Sequence, residues 1–418
     1  MTACSLSPRG RGAIAKVQAI AVAVVIVIAA AGGLLYYYYS SSSSAAPKTP
    51  IKIGFTVSLT GAYASGGKEV FDGYETWAKA VNNSGGIDGR PVQLVYYDDE
   101  SDPTLAASLY TKLITVDGVS YTFGPFSSPI TATTSTVTEQ NHIIMLDSLG
   151  WSSSIFSRGY NYVFLVSNAA AENVSISYIN WIKTLPAAQQ PKTYAIAIAS
   201  DVVSGALAKG FQQLANSTGM TLVDKEVFSG TATDLTDVFL KVKAANPDVV
   251  LVSSISNPSL ILAVQTMHQL NLTPKIVFGL DSMGLPEIHK ALGPLMENMM
   301  FDEIWSPSMT YPGSANFSSI YKSIYGVYPE THAAIAYACG QVLQQAIVGS
   351  GSFNSTAVRN YIVSHTFNTI YGPISFKQNG SPQHPADILA QWQNEKMQFV
   401  YPPSGANATA VYPFKWGA

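Results

Sequence analysis

IKIGFTVSLTGAYASGGKEV, residues 51–70, passes from an apolar, β-branched run through a small-residue loop into a helical pattern. Strand, glycine-rich loop and helix is the layout that holds phosphate, so the stretch first has to be tested as a nucleotide site. A P-loop needs a glycine, four residues, then Gly-Lys-Ser/Thr, because backbone N–H groups surround the phosphates and a hydroxyl meets magnesium. Gly61 and Gly66 have the right separation, but Gly67 intervenes before Lys68, and Glu69 stands where the hydroxyl belongs. The pattern therefore predicts a strand-to-helix turn without a nucleotide.

The same alternation continues outward. IKIGFTV (51–57), VQLVYYD (92–98), VSYTFG (119–124) and HIIML (142–146) read as strands, with helical patterns at 68–83, 104–115 and 129–140 between them. It resumes with strands at 193–200, 221–228, 247–254 and 275–279, separated by helices near 205–217, 235–245 and 259–270. Repeated βαβ succession predicts parallel sheets with helices on both faces, here twice, hence an α/β chain of two doubly wound lobes. Beyond residue 300, helices are expected at 314–325, 331–348 and 355–364, a strand and turn at 369–380, and a β-hairpin at 387–402.

The two halves echo one another where Ser128-Pro129 and Asn257-Pro258 each follow a strand. Ser or Asn before Pro predicts a helix start, the polar residue as N-cap and the proline as first helical residue, and Asp102-Pro103 is a third case. A helix start at the carboxyl end of a parallel strand presents free N–H groups and a positive dipole end, which suits a carboxylate or phosphate. In open α/β sheets ligands lie at that edge, so two facing edges would make a cleft between lobes.

Composition narrows the setting. The 418 residues are 47% apolar, enough for two sizeable cores, and the net charge of −3, with no basic block after residue 16, gives nucleic acid nothing to bind. Ala19 to Leu35 is uncharged and almost wholly apolar, preceded by Arg9, Arg11 and Lys16. With its flanks (13–39) it predicts one N-terminal transmembrane helix, with 1–12 as a cytoplasmic or processed leader and the rest of the chain outside. A cleaved secretory signal is the alternative. SSSSSAAPKTP (40–50) then reads as a flexible tether. Cys4 and Cys339 would lie on opposite sides of that membrane, which excludes a disulfide between them. Sequons at Asn82, Asn173, Asn216, Asn271, Asn316, Asn354, Asn379 and Asn407 are glycosylation candidates on an outer face.

Several passages together resemble the extracytoplasmic solute-binding proteins of branched-chain amino-acid ABC transporters, with the type I periplasmic-binding-protein fold. They are IGFTVSLTGAYASGGKEVFDG with the NNSGGIDGRP turn and DDESDP step that follow, the FGPFSS loop, SRGYNYVFLV (157–166) and YGPISFKQNG (371–380). The resemblance covers about residues 51–400 and implies two lobes joined by three crossings, near 167, 303 and 370. Lobe 1 would be 51–167 plus 304–369, and lobe 2 would be 168–303 plus 370–418.

The resemblance also implies a ligand between the lobes. Ser128 and backbone near Gly150 would hold a carboxylate, and Asp281 in FGLDSMG would meet an ammonium group. Tyr63, Ser65 and Gly66 would border the ligand from lobe 1, and Ser204 and Ser256 from lobe 2. The chain departs from the pattern where Gly66, Ser204 and Ser256 are small in place of aromatic residues, and where Trp151 replaces a small hydroxyl residue. That predicts room at Gly66 which Trp151 fills from the other side. Phe126 and Trp305 are further candidate contacts. Ser101 and Ser127 stand where some members have bridged cysteines.

The function implied is capture of an amino acid or related small carboxylate or amide, without chemistry, and delivery to ABC permease and ATPase subunits. The alternative is a ligand-sensing ectodomain with a signalling partner. A hydrolase lacks its parts: there is no HExxH, no GxSxG, and the six histidines form no ligand-spaced pair, so no cofactor or metal is expected.

Overall fold

The computed structural model describes residues 16, 21–33, 48–167, 173–279, 281–307, 309, 311–384, 388–403 and 406–417. It divides into two units, Met1–Thr49 and Pro50–Ala418. In the first, residues 21–33 are helical with exposed valines, and the rest of the apolar run lies almost wholly outside the described residues. Among the described residues no helix is long and apolar enough to cross a membrane.

The second unit begins with β1 (Ile51–Val57), α1 (Ala64–Asn83), β2 (Val92–Asp98), α2 (Pro103–Thr115), β3 (Tyr121–Phe123), α3 (Ser128–Gln140), β4 (Met145–Asp147), α4 (Ser153–Phe156) and β5 (Val163–Leu165). Their strands form a five-stranded sheet in the order β2-β1-β3-β4-β5, parallel throughout. There follow α5 (Ile176–Thr184), β6 (Thr193–Ala199), α6 (Val202–Ser217), β7 (Thr221–Phe228), α7 (Thr236–Ala245), β8 (Val249–Ser253), α8 (Asn257–Gln269), β9 (Ile276–Gly279), α9 (Pro286–Leu292) and β10 (Met300–Glu303). Strands β7-β6-β8-β9-β10 repeat the order of the first sheet, and the antiparallel hairpin β13 (Ile388–Gln393) and β14 (Lys396–Tyr401) extends that sheet to seven. Asn394 and Glu395 turn the hairpin with φ of 53° and 60°, the backbone hand that matches strand twist.

The second sheet is buried on both faces, which explains its nearly continuous apolar strands. Tyr194, Ile196 and Ile198 face one core while Ala195, Ala197 and Ala199 face the other. Helices α10 (Ser314–Tyr325), α11 (Thr331–Ser350) and α12 (Ser355–Ile362) return to the first sheet, where α11 packs along α1. Two glycines allow that approach: a Cβ on Gly340 would lie 1.9 Å from the Trp77 ring, and one on Gly73 would lie 2.3 Å from the Ala333 carbonyl oxygen. Cys339, also on α11, is a buried free thiol.

Two local expectations shift. The fourth strand begins at Met145, three residues later than HIIML suggests, because His142 adopts φ 53° and its N–H bonds back to Glu139 to end α3. The 369–380 segment forms β12 (Gly372–Ile374), paired antiparallel with β11 (Phe367–Thr369). Asp102 does cap α2, accepting from Thr104 and Leu105 N–H at 2.6 and 3.0 Å.

Candidate functional site

In each parallel sheet the strand order reverses between the first and third strands, β1/β3 and β6/β8, and the crevice at the carboxyl end of such a switch point is where open α/β sheets take ligands. The serine-bearing loops sit there: 58–63 after β1, 124–127 after β3, 200–201 after β6 and 254–256 after β8. Helices α3 and α6, one from each half, touch near these ends. Burial raises the Tyr63 phenol and the Asp201 carboxylate adds to it, so the opening loop of one half faces the first turn of α6 in the other.

The acidic DDESDP step shapes the opening loop. Asp99 accepts from Ser58 and Thr56 hydroxyls at 2.6 and 2.8 Å, and Asp98 accepts from Leu59 N–H and Thr60 Oγ1 at 3.0 and 2.8 Å. Ser101 Oγ donates to the Thr60 carbonyl at 2.8 Å and accepts from Tyr63 N–H at 3.0 Å, tying the loop without a covalent bridge. Lys68, the cation of the phosphate-like pattern, pairs instead with Asp72 one turn along α1.

At α3 the register differs from the expected cap. The cap position is Ser127, with φ 84° and ψ 145°, and Ser128 is the first helical residue. Ser128 Oγ instead accepts from Ser152 N–H at 3.1 Å. Ser127 is held in a backbone region that favours glycine, its Oγ is buried, and no hydrogen-bond partner meets it among the described residues. Asn257 likewise opens α8 as a helical residue behind Ser256, with no side-chain cap bond, and its amide donates to Glu287.

Beneath α3 lies Asp147, fully buried at the end of β4. It accepts from Thr131 Oγ1 at 3.0 Å and Gly150 N–H at 2.8 Å, and desolvation pushes its carboxyl up to about 7 against those bonds. A Cβ on Gly124 or Gly150 would come within 2.1 or 2.2 Å of its oxygens, so both glycines make room for this carboxyl. Of the backbone near Gly150 expected to serve a ligand carboxylate, the Gly150 N–H is thus engaged by Asp147.

The other candidates divide. The space over Gly66 is filled by Phe126, whose ring would lie 2.3 Å from a Cβ there, so the predicted opening is closed from within the same half. Phe126 also approaches Tyr63 and His332, at centroid distances of 5.8 and 5.6 Å. Trp151 is 4% exposed, with Nε1 donating to the Ser148 carbonyl at 3.2 Å, and does not fill that space. Ser65 is exposed, and Ser256 is half-buried with its N–H bonded to Ser254 Oγ. Ser204 is fully buried and bonded through both N–H and Oγ to Asp201, at 2.7 and 2.8 Å. Asp281 opens a 3-10 turn, Asp281–Gly284, and its side chain lies outside the described residues. Among the sequons, Asn82 and Asn379 already commit their amide nitrogens to the carbonyls of Val92 and Phe156, at 2.9 and 3.0 Å.

Sequence reading passed over Asp147 and the cluster of Glu69, Glu330 and His332. His332 Nδ1 lies 2.9 Å from Glu69 Oε2, and burial followed by Glu69 raises Glu330 well above the usual carboxylate range. No local motif marks either group, since their partners come from distant segments.

Two α/β halves of the same strand order thus meet near the serine-bearing loops of each. A family model for periplasmic binding proteins matches residues 50–396, and the chain belongs to that family. It is 26% identical over 373 residues to Leu/Ile/Val-binding protein homolog 8 of Brucella abortus, covering 86% of this chain and 92% of that one. Solved structures share the fold. A leucine binding protein of Thermotoga maritima superposes with a TM-score of 0.74 at 20% identity, covering 85% of this chain and 99% of that one. A Streptococcus pneumoniae branched-chain amino acid transporter substrate binding protein, in complex with isoleucine, gives 0.74 at 22% identity over 87% and 100%. A solute binding protein of R. palustris in complex with benzoate gives 0.72 at 18% over 87% and 97%. The chain is accordingly an extracytoplasmic solute-binding protein and not an enzyme.

Proposed function

We propose that the chain captures an amino acid or related small carboxylate between lobe 1 (51–167 plus 304–369) and lobe 2 (168–303 plus 370–418), and delivers it to an ABC permease. Closure of the lobes around the solute is the mechanism, with affinity drawn from contacts made only in the closed form. The observation that carries this is Ser127: a buried hydroxyl with no partner among the described residues, on strained backbone, at the start of a 13-residue helix and at the switch point of the first sheet. A carboxylate there would meet the hydroxyl and the free N–H groups of α3 together. The Leu/Ile/Val-binding relative and the isoleucine and benzoate complexes support a carboxylate-bearing solute. Asp281 is the proposed partner of an ammonium group, and the apolar N-terminal run the proposed anchor to the cell membrane.

Ser127→Gly separates function from folding. Glycine accepts the observed φ of 84° without strain, so the variant should melt no lower than the wild type, while losing the hydroxyl should weaken a carboxylate ligand by about tenfold. Calorimetric titration with amino acids and short carboxylates reads the change. Unaltered affinity would remove Ser127 from the site, and no binding of any amino acid or carboxylate would overturn the reading.

A further inference from the structure

A cavity of about 160 Å³ opens between the halves, and none of the serine-loop positions lines it. Leu285 and Met397 come from the chain around the second sheet, Trp305 from the segment just after β10, and Glu303, Glu330 and His332 supply the polar wall. The volume is well below the roughly 300 Å³ of the smallest drug-sized pockets, so it has room for one end of a small solute. Its polar wall is built in: Glu303 is 4% exposed and His332 9%. Glu303 Oε1 accepts from Ile304 N–H at 2.9 Å and from the Thr331 hydroxyl, which fixes the carboxylate in place.

The charges around this cavity are mostly acidic: Glu303, Glu330, Glu69 and Glu287 face one imidazole, His332, which is paired with Glu69 and lowers Glu330 and Glu287. Glu69 lies behind His332, and Glu287 stands close enough to Glu69 and His332 to feel both. No lysine or arginine is among the described lining residues. An apolar group in the cavity would desolvate these carboxyls with nothing in return, whereas a cation would be paired with them. The upward displacement of Glu330 and Glu287 has the same origin: burial first, then the neighbouring Glu69 carboxylate.

We infer that the cavity takes the positively charged end of a small basic solute, an amine or guanidinium, with Leu285, Trp305 and Met397 covering the methylenes before it. This rests on the reading that a solute is captured between the lobes, and it changes the expected preference from a purely apolar side chain to a basic one.

Calorimetry on the full chain with leucine, ornithine, lysine and arginine, and with putrescine and agmatine as amines lacking a carboxylate, tests it. The basic amino acids should bind at least about tenfold tighter than leucine, and Glu330→Gln should reduce that margin to within about threefold. Met397→Trp, at a half-buried position on the edge strand β14, fills the cavity and should weaken the basic amino acids whether or not Glu330→Gln folds. Leucine binding as tightly as the basic amino acids overturns the inference and leaves the capture of amino acids intact. Putrescine or agmatine binding with Glu330 dependence while no amino acid binds keeps the cavity's assignment and overturns the carboxylate reading. Binding of none of the probes overturns both.

Discussion

Asp147→Asn is expected to make the protein more stable than the wild type at pH 8, by at least about 2 kcal/mol, while leaving the two nearly equal at pH 4. In the folded chain burial raises this carboxyl from 3.8 to about 7, so the folded state holds the proton more tightly than the unfolded state does. Its contribution is therefore complete below about pH 4, declines as pH rises, and is lost above about pH 7; three units correspond to about 4 kcal/mol. Its two hydrogen bonds favour the ionised form, but a neutral carboxyl can keep both partners. The single proton of the Thr131 hydroxyl has two acceptors in reach, the Ser127 carbonyl at 3.0 Å and Asp147 Oδ1 at 3.0 Å. If it goes to Ser127, the protonated Asp147 donates to Thr131, and an asparagine amide can do the same while its oxygen keeps the Gly150 N–H. Urea denaturation at several pH values reads the difference between the two proteins, which cancels other titrating groups such as Glu330. Parallel stability curves would show that Asp147 is ionised in the fold.

Gly67→Ala should cost about 3 kcal/mol, and Gly66→Ala, one residue earlier, appreciably less. The new methyl at 67 would lie 2.0 Å from the Ser58 carbonyl oxygen, and backbone at the end of β1 can move only if α1 moves with it. At 66 the obstacle is the Phe126 ring at 2.3 Å, a half-buried side chain that can swing aside. Combining Gly66→Ala with Phe126→Ala should therefore cost less than the sum of the two single changes. Chemical denaturation of the four variants settles the order; a cheaper change at 67 than at 66, or strict additivity of the pair, would contradict the packing described.

The contrast between these glycines shows where sequence reading reaches its limit. The strand-loop-helix layout of residues 51–70 was legible because β-branched runs and helical periodicity are local. What occupies the space over Gly66 depends on a ring 60 positions away, and the expected filling by Trp151 failed because that indole is satisfied by Ser148 within its own loop. Helix starts were legible to within one residue: Asp102 caps α2, whereas the caps of α3 and α8 fall on Ser127 and Ser256, because each Pro sits at the second helical residue. Asp147 left no trace in periodicity, since a buried carboxyl reads like any polar residue after a strand. The wall of Glu303, Glu330 and His332 joins the end of β10 to the start of α11, which local patterns do not bring together.

The central claim is that one small solute is held by both halves at once. Hydrogen–deuterium exchange of the full chain, with and without a saturating concentration of the tightest-binding amino acid, tests it most directly. The account predicts slower exchange at residues 125–131, at the start of α3, and simultaneously at 201–206, at the start of α6. Slowing confined to one of these segments, or to neither, would contradict capture between lobes.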